Sequence, residues 1–333
     1  MKSRLTLWFV FLAGMLISGG AFAAQTEPSA PVLAPALAAA DVDFAACKAL
    51  VDGKEAPGDF KAGILATLGL AAGQPWAAGR HDEGKSRQYL IVLKQPVKLG
   101  SLLFQHGGSL KCLKAGTPLP ADPERADIWM EVNFPPHQSG WRLATLDPGA
   151  ETQAFLGVLG RGWGEWHRFS FLRAMKPRLL NIVPEGIANA EAEYIQYHEL
   201  GPPSRFLASN IINWSGRWQS HGPDKDNRIP RPPVTDIDPS WFVVSWDEPR
   251  NVAGILLKSN FKKFKAYAYQ GPAGINPAVA GAQDWARIKS GVRGDAGAAW
   301  LVFPALATRG VKFVTEEADG RFGAIEGLQV LVD

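Results

Sequence analysis

The chain has 333 residues, a formal net charge of +3 and 20% charged residues. That length allows about two domains. The near-neutral balance excludes a nucleic acid or an anionic membrane as a partner selected by field strength. Hydrophobic residues reach 46%, a globular share, with Trp frequent at 12 and Met scarce at 4.

Lys2 and Arg4 precede an apolar run from Leu5 to Ile17, and Ala21-Phe22-Ala23 meets the small-x-small rule for cleavage. Residues 1–23 are expected to be a signal peptide and the mature chain to be exported, periplasmic or extracellular. The run is shorter than the ~20 residues a spanning helix needs, so no transmembrane segment is expected. Residues 24–40, with "TEPSAPVLAPALAAA", read as a Pro/Ala-rich linker.

Cys47 and Cys112 are the only two cysteines. In an oxidising compartment an isolated pair is expected to form one disulfide; two buried free thiols is the alternative. "ACKALVDG" and "AGILATLGLAAG" could each be a short helix. Most other apolar stretches are short, β-branched or aromatic, and separated by Gly and Pro, which predicts strands. In the first half these cover Tyr89–Leu93, Leu99–Gln105, Leu110–Leu113 and Arg178–Val183. In the second they cover Trp241–Trp246, Val252–Lys258, Phe264–Tyr269, Val311–Thr315 and Leu328–Val332.

The two sets form a weak repeat. "RQYLIVLKQPVKLGSLLFQHGGSLKCLKAG" parallels "PSWFVVSWDEPRNVAGILLKSNFKKFKAYAYQG", and "RLLNIV" parallels "RGVKFV". This alignment puts an insertion of ~25 residues in the first copy, near 135–166, at little loop-closure cost. The expected domains are 41–199 and 204–333, joined by a linker at 200–203 where Gly201-Pro202-Pro203 resists pairing. Within "SWFVVSW", Trp241 and Val243 face one way while Phe242, Val244 and Trp246 face the other. One face is expected in a core, and the other needs a cover of loops or a neighbour. The fold class is all-β, with two tandem β-sandwiches.

No nucleophile elbow, Walker loop or zinc-binding H-E-x-x-H is present, so no catalytic residue is assigned. "FKKFK" alternates aromatic and basic residues, but nothing around it adds a basic field, so nucleic acid is not expected as a partner.

In the second copy, "INWSGRWQS", "SWFVVSWDEPRNVAGILLKSN", "FKKFKAYAY", "DWARI", "TRGVKFV" and "GRFGAIEGLQVLV" follow one another in an order that resembles the discoidin, or coagulation-factor type C, family of galactose-binding-like jelly rolls. The first copy is similar but more degraded, keeping "LVDG", "PWAAG" and "EAEYI". The resemblance implies binding of a carbohydrate or a cell-surface or envelope ligand through end loops of the sandwich, without catalysis. Matching positions are Trp218, His221 and Arg228 in the opening loop, Asn260 in a turn, and Arg321 and Phe322 before the closing strand. Family members that hold a structural calcium ion place it at positions matching Asp52 and Glu193. No other cofactor is implied. Two further readings stay open: an adhesion or protein–protein scaffold without a sugar pocket, and the N-terminal non-catalytic part of a larger secreted enzyme such as a glycoside hydrolase.

Overall fold

The structure is a computed structural model that describes residues 36–78, 84–105, 108–134, 142–159, 168–198, 201–213, 215–221, 233–292 and 298–333. The expected signal peptide and most of the linker lie outside these residues. Among the described residues, no helix is long and apolar enough to cross a membrane.

The first half begins with β1 (Lys48–Val51) and β2 (Lys54–Glu55), a hairpin on Asp52-Gly53. Both turn residues have positive φ, +47° and +76°, the conformation that Asp-Gly favours in a tight hairpin. The helix expected over "ACKALVDG" is therefore strand from Lys48 on. β1 is held between β2 and residues 87–90, and that pairing outweighs local propensity. The second expected helix is present as α1 (Lys61–Thr67).

There follow β3 (Trp76–Ala77), β4 (Arg87–Lys98), β5 (Ser101–Gln105), β6 (Ser109–Leu113), β7 (Trp129–Glu131), β8 (Arg142–Thr145), β9 (Glu151–Leu159), β10 (Arg168–Phe169) and β11 (Phe171–Met175). They pair in the orders β2-β1-β4-β9-β6-β7, β11-β5-β8 and β10-β3. Trp76, Tyr89, Phe104, Phe155 and Phe169 meet in the core between these sheets.

The second half has β12 (Leu180–Asn181), β13 (Ile187–Ala190), β14 (Tyr194–His198), β15 (Gly201–Phe206), α2 (Ser209–Asn213), β16 (Trp218–Gln219), β17 (Ser240–Ser259), β18 (Phe261–Tyr269), β19 (Trp285–Val292), β20 (Ala298–Ala318) and β21 (Ala324–Val332). An eight-stranded sheet runs β12-β21-β17-β20-β18-β19, with β13 added on β17 and β16 on β21. The turn expected at Asp247-Glu248-Pro249 is a break in register inside the single strand β17, which pairs with β20 on both sides of it. Such an irregularity bends a strand, so one strand can serve both layers of a sandwich.

The two faces of β17 separate as alternation requires. Phe242, Val244 and Trp246 enter the main core with Phe264 and Phe313. Val243 packs on the opposite face with Tyr269 and Trp285, and Trp241 lies against them. Lys312 Nζ sits 5.2 Å from the Trp241 ring centre and 5.5 Å from that of Trp285.

The strand orders of the halves correspond: β4-β9-β6-β7 recurs as β17-β20-β18-β19, and the pair Trp76–Phe169 recurs as Trp218–Ile325. This corrects the repeat read from sequence. Residues 151–159, expected inside the insertion at 135–166, are the central strand β9, and 142–145 are β8; 135–141 and 160–167 lie outside the described residues. "RLLNIV", assigned to the first copy, includes β12, which pairs with β21. Likewise β13 pairs with β17. The expected linker at 200–203 runs into β15, hydrogen-bonded to β14 in a two-stranded hairpin where prolines are tolerated.

The halves also share a cluster in which Leu103, Leu143, Met175 and Leu179 pack with Leu256 and Leu331. The Arg173 guanidinium lies 5.1 Å from the Trp300 ring centre beside it. The described residues of both halves belong to one compact unit.

The expected disulfide is absent: Cys47 and Cys112 are free thiols. The register gives the reason. Cys47 precedes Lys48, which pairs with Leu90, so it sits beside Ile91; Ile91 pairs with Phe155, and Phe155 with Cys112. Three strand spacings, about 14 Å, separate the thiols, and a bridge requires Cα atoms within about 7 Å. Cys47 Sγ instead accepts the Val92 N–H at 3.3 Å and donates to the Asp43 carbonyl at 3.2 Å. Burial pushes the Cys47 thiol up to about 11 and the Cys112 thiol to about 12.

Candidate ligand-binding site

Three segments meet at one end of the second half. The first is β16 with Ser220 and His221. The second is Asn260, the single residue between β17 and β18. The third is the loop 319–323 between β20 and β21.

β16 lies on the closing strand, with Trp218 opposite Ile325 and Gln219 opposite Ala324. The pairing continues past the strand: Ser220 N–H donates to the Gly323 carbonyl at 2.9 Å, and Gly323 N–H to Ser220 Oγ at 3.2 Å. A Cβ on Gly323 would stand 2.7 Å from Ser240 Cβ, so only glycine permits this approach. Ser240 Oγ in turn donates to Glu191 Oε1 at 2.8 Å.

Asn260 is the clasp of the arrangement. Its Nδ2 donates to the carbonyls of Asp319 (2.9 Å) and Phe322 (2.8 Å), and its Oδ1 accepts from Ala324 N–H at 2.8 Å. Its backbone N–H donates to Ala324 O, and its carbonyl accepts from Asp319 N–H. Gly320, at φ +86°, makes the turn that the clasp encloses. The loop so held presents Arg321 exposed and Phe322 half-buried.

The residues implied by the resemblance therefore divide. Arg321, Phe322 and half-buried His221 come together at this end. Asn260 is there too, but its amide is consumed in holding the loop, so a ligand-contacting role is corrected to a supporting one. Trp218 is fully buried: its ring packs 5.3 Å from Phe242 and its Nε1 donates to the Ala192 carbonyl at 2.9 Å. That placement removes it as a stacking platform and makes it the anchor of the opening loop. Arg228 lies outside the described residues.

The pair matched to a calcium site does not meet. Asp52 Oδ1 accepts from Ser86 N–H and Oγ in the first half, whereas Glu193 Oε1 accepts from Ala208 N–H in the second. Among the described residues, no group of three or more His, Cys, Asp or Glu side chains gathers as a metal site requires. The lysines of "FKKFK" face carboxylates: Lys262 pairs with Asp319 at 3.2 Å, and Lys265 pairs with Glu316. They form a charge-balanced stretch of an internal strand, not a basic patch.

No protein-family model and no curated protein sequence matches this chain. Solved structures do align with it. A chitosan-binding module from a chitosanase/glucanase of Paenibacillus sp. IK-5 aligns at 16% identity and TM-score 0.33, over 45% of this chain and 98% of its own. A carbohydrate-binding module of Clostridium perfringens, solved with GalNAc-β-1,3-galactose, aligns at 18% identity and TM-score 0.32, over 44% of this chain and 96% of its own. Allantoicase of Saccharomyces cerevisiae aligns at 11% identity and TM-score 0.31, over 78% of this chain and 80% of its own.

Sequence reasoning missed the clasp and the glycine that permits it. A local signal existed for the first: Asn260 ends the polar step Lys258-Ser259-Asn260 after an apolar run, and Asn at such a step commonly bonds to nearby backbone.

Proposed function

We propose that this chain is an exported, non-catalytic carbohydrate-binding protein built from two copies of one β-sandwich, with its sugar site at the end loops of the second. The observation that carries the reading is the Asn260 clasp. It commits both donors and one acceptor site of a polar side chain to holding a short loop in one shape, and that loop carries an exposed arginine next in sequence to a half-buried phenylalanine. A sugar needs such a pair: C–H groups stack on the ring, and hydroxyls accept from the planar fork of the arginine. A loop held rigid in advance binds at lower entropic cost. No cofactor or metal enters this reading.

The test is a glycan array with the full chain, followed by titration of the best ligand. Phe322→Ala and Arg321→Ala should each weaken binding while the melting temperature is kept. Unchanged binding in both folded variants overturns the site, and an array without any hit overturns the function.

A further inference from the structure

We propose that a basic cleft in the first half is a second binding site, for a carboxylate-bearing oligosaccharide such as a uronate chain. The cleft encloses about 770 Å³ and is lined by three cationic side chains, Lys98, Lys176 and Arg178, against one carboxylate, Asp41. That volume falls in the range of about 300–1,000 Å³ typical of small-molecule sites.

The backbone brings the cations together. Gly100 lies against the chain at Lys176 and Pro177, with its N–H donating to Met175 O at 2.9 Å. A Cβ at Gly100 would fall 2.3 Å from the Lys176 carbonyl oxygen, so this approach requires glycine. Lys98 thus ends β4 beside the segment that carries Lys176 and Arg178. Arg178 Nε donates to the Leu146 carbonyl at 2.9 Å, which fixes the guanidinium in the cleft wall. Among the described residues, Lys98 and Lys176 have neither an ion pair nor a side-chain hydrogen bond. Asp41 Oδ2 accepts from Ala38 N–H at 2.7 Å, and Glu151 stands opposite Lys98 in the β4–β9 register, so three cations face two carboxylates.

An excess of positive charge in a concavity favours an anion. The lining includes no aromatic ring, so neither a nucleobase nor a neutral sugar has a face to stack on. Charge must then supply the recognition, and the planar guanidinium suits a carboxylate. The choice of a sugar acid over a peptide carboxylate rests on the proposed carbohydrate-binding function; the preference for an anion does not.

The experiment titrates the full chain calorimetrically with an oligogalacturonate, its carboxyl-reduced neutral counterpart, an oligoglutamate of equal charge and an oligothymidylate, each at low and high salt. The oligogalacturonate should bind most tightly and weaken with salt, because the lysines are exposed. Lys98→Glu with Lys176→Glu should lower its affinity about tenfold or more, since each reversal turns an attraction into a repulsion. Lys98→Gln with Lys176→Gln should give an intermediate loss, and Lys54→Glu, at an exposed lysine of β2 outside the cleft lining, should leave uronate binding intact. The proposal is overturned if the neutral sugar, the peptide or the oligonucleotide binds as tightly, if no anion binds, or if the charge reversals have no effect. Failure of the end-loop site would appear only in the Arg321 and Phe322 variants, so the two failures are separable.

Discussion

Asn260 Nδ2 donates to the Phe322 carbonyl at 2.8 Å, so the turn between β17 and β18 dictates the shape of the loop before the closing strand. Asn260→Ala would strand the carbonyls of Asp319 and Phe322 and the N–H of Ala324. The expected loss is about 1–3 kcal/mol of stability, within the range for buried polar groups left unpaired. Asn260→Asp should also destabilise, because a carboxylate can accept from Ala324 but cannot donate to the two carbonyls. Urea denaturation of both variants measures this, and sugar affinity should fall in each although Asn260 is not placed against the ligand.

Trp218 should behave as core. Trp218→Ala empties a fully buried site and is expected to cost about 3–5 kcal/mol. Trp218→Phe keeps most of the volume but loses the bond to Ala192 O, and its cost should be smaller. If Trp218→Phe abolished sugar binding without lowering the melting temperature, Trp218 would have to touch the ligand, contrary to its burial.

The cysteines should titrate as two thiols in unreduced, denatured protein. In native protein at neutral pH both should react slowly, Cys112 more slowly than Cys47, because Cys112 is the more buried. Burial raises the folded Cys112 thiol from an ordinary 9.0 to about 12. Its contribution to stability is complete below pH 9, where both states hold the proton. Above pH 9 the unfolded chain releases the proton while the folded chain keeps it, so stability falls toward pH 12. Urea midpoints of wild type and Cys112→Ala, compared from pH 8 upward, should therefore converge as pH rises.

The halves should not separate cleanly. A fragment from Ser204 onward lacks β12 and β13, which pair with β21 and β17, and loses Leu103, Met175 and Leu179 from against Leu256 and Leu331. Such a fragment should be molten, with strand signal in the far-ultraviolet but poor dispersion in its amide NMR spectrum. A sharp cooperative transition from it would mean the shared cluster adds little.

Gly100→Ala forces a methyl group against the Lys176 carbonyl. Because that obstacle is backbone, an overpacking cost of about 1–3 kcal/mol or more is expected. Thermal melting checks this, and uronate affinity should fall with it as Lys98 moves away from Lys176.

Local sequence determined the class of structure and the position of most strands. Alternation in "SWFVVSW" specified which side chains of β17 would enter the core, because successive residues in a strand point to opposite faces. It also required a cover for the second face, which Tyr269 and Trp285 provide. Turn chemistry was legible at Asp52-Gly53 and at Asn260, although the first was read as helix. What pairs with what was settled only in three dimensions. The repeat slipped because "RLLNIV" resembles a core strand, whereas "ETQAFLGVL" holds the centre of the first sheet; strand partners far apart in sequence leave no local mark. The cysteines were expected to bridge on compartment and count, yet three strand spacings keep them apart. Trp218 offered an aromatic ring, and the tertiary fold turned it inward because a large apolar side chain gains more from the core than from solvent.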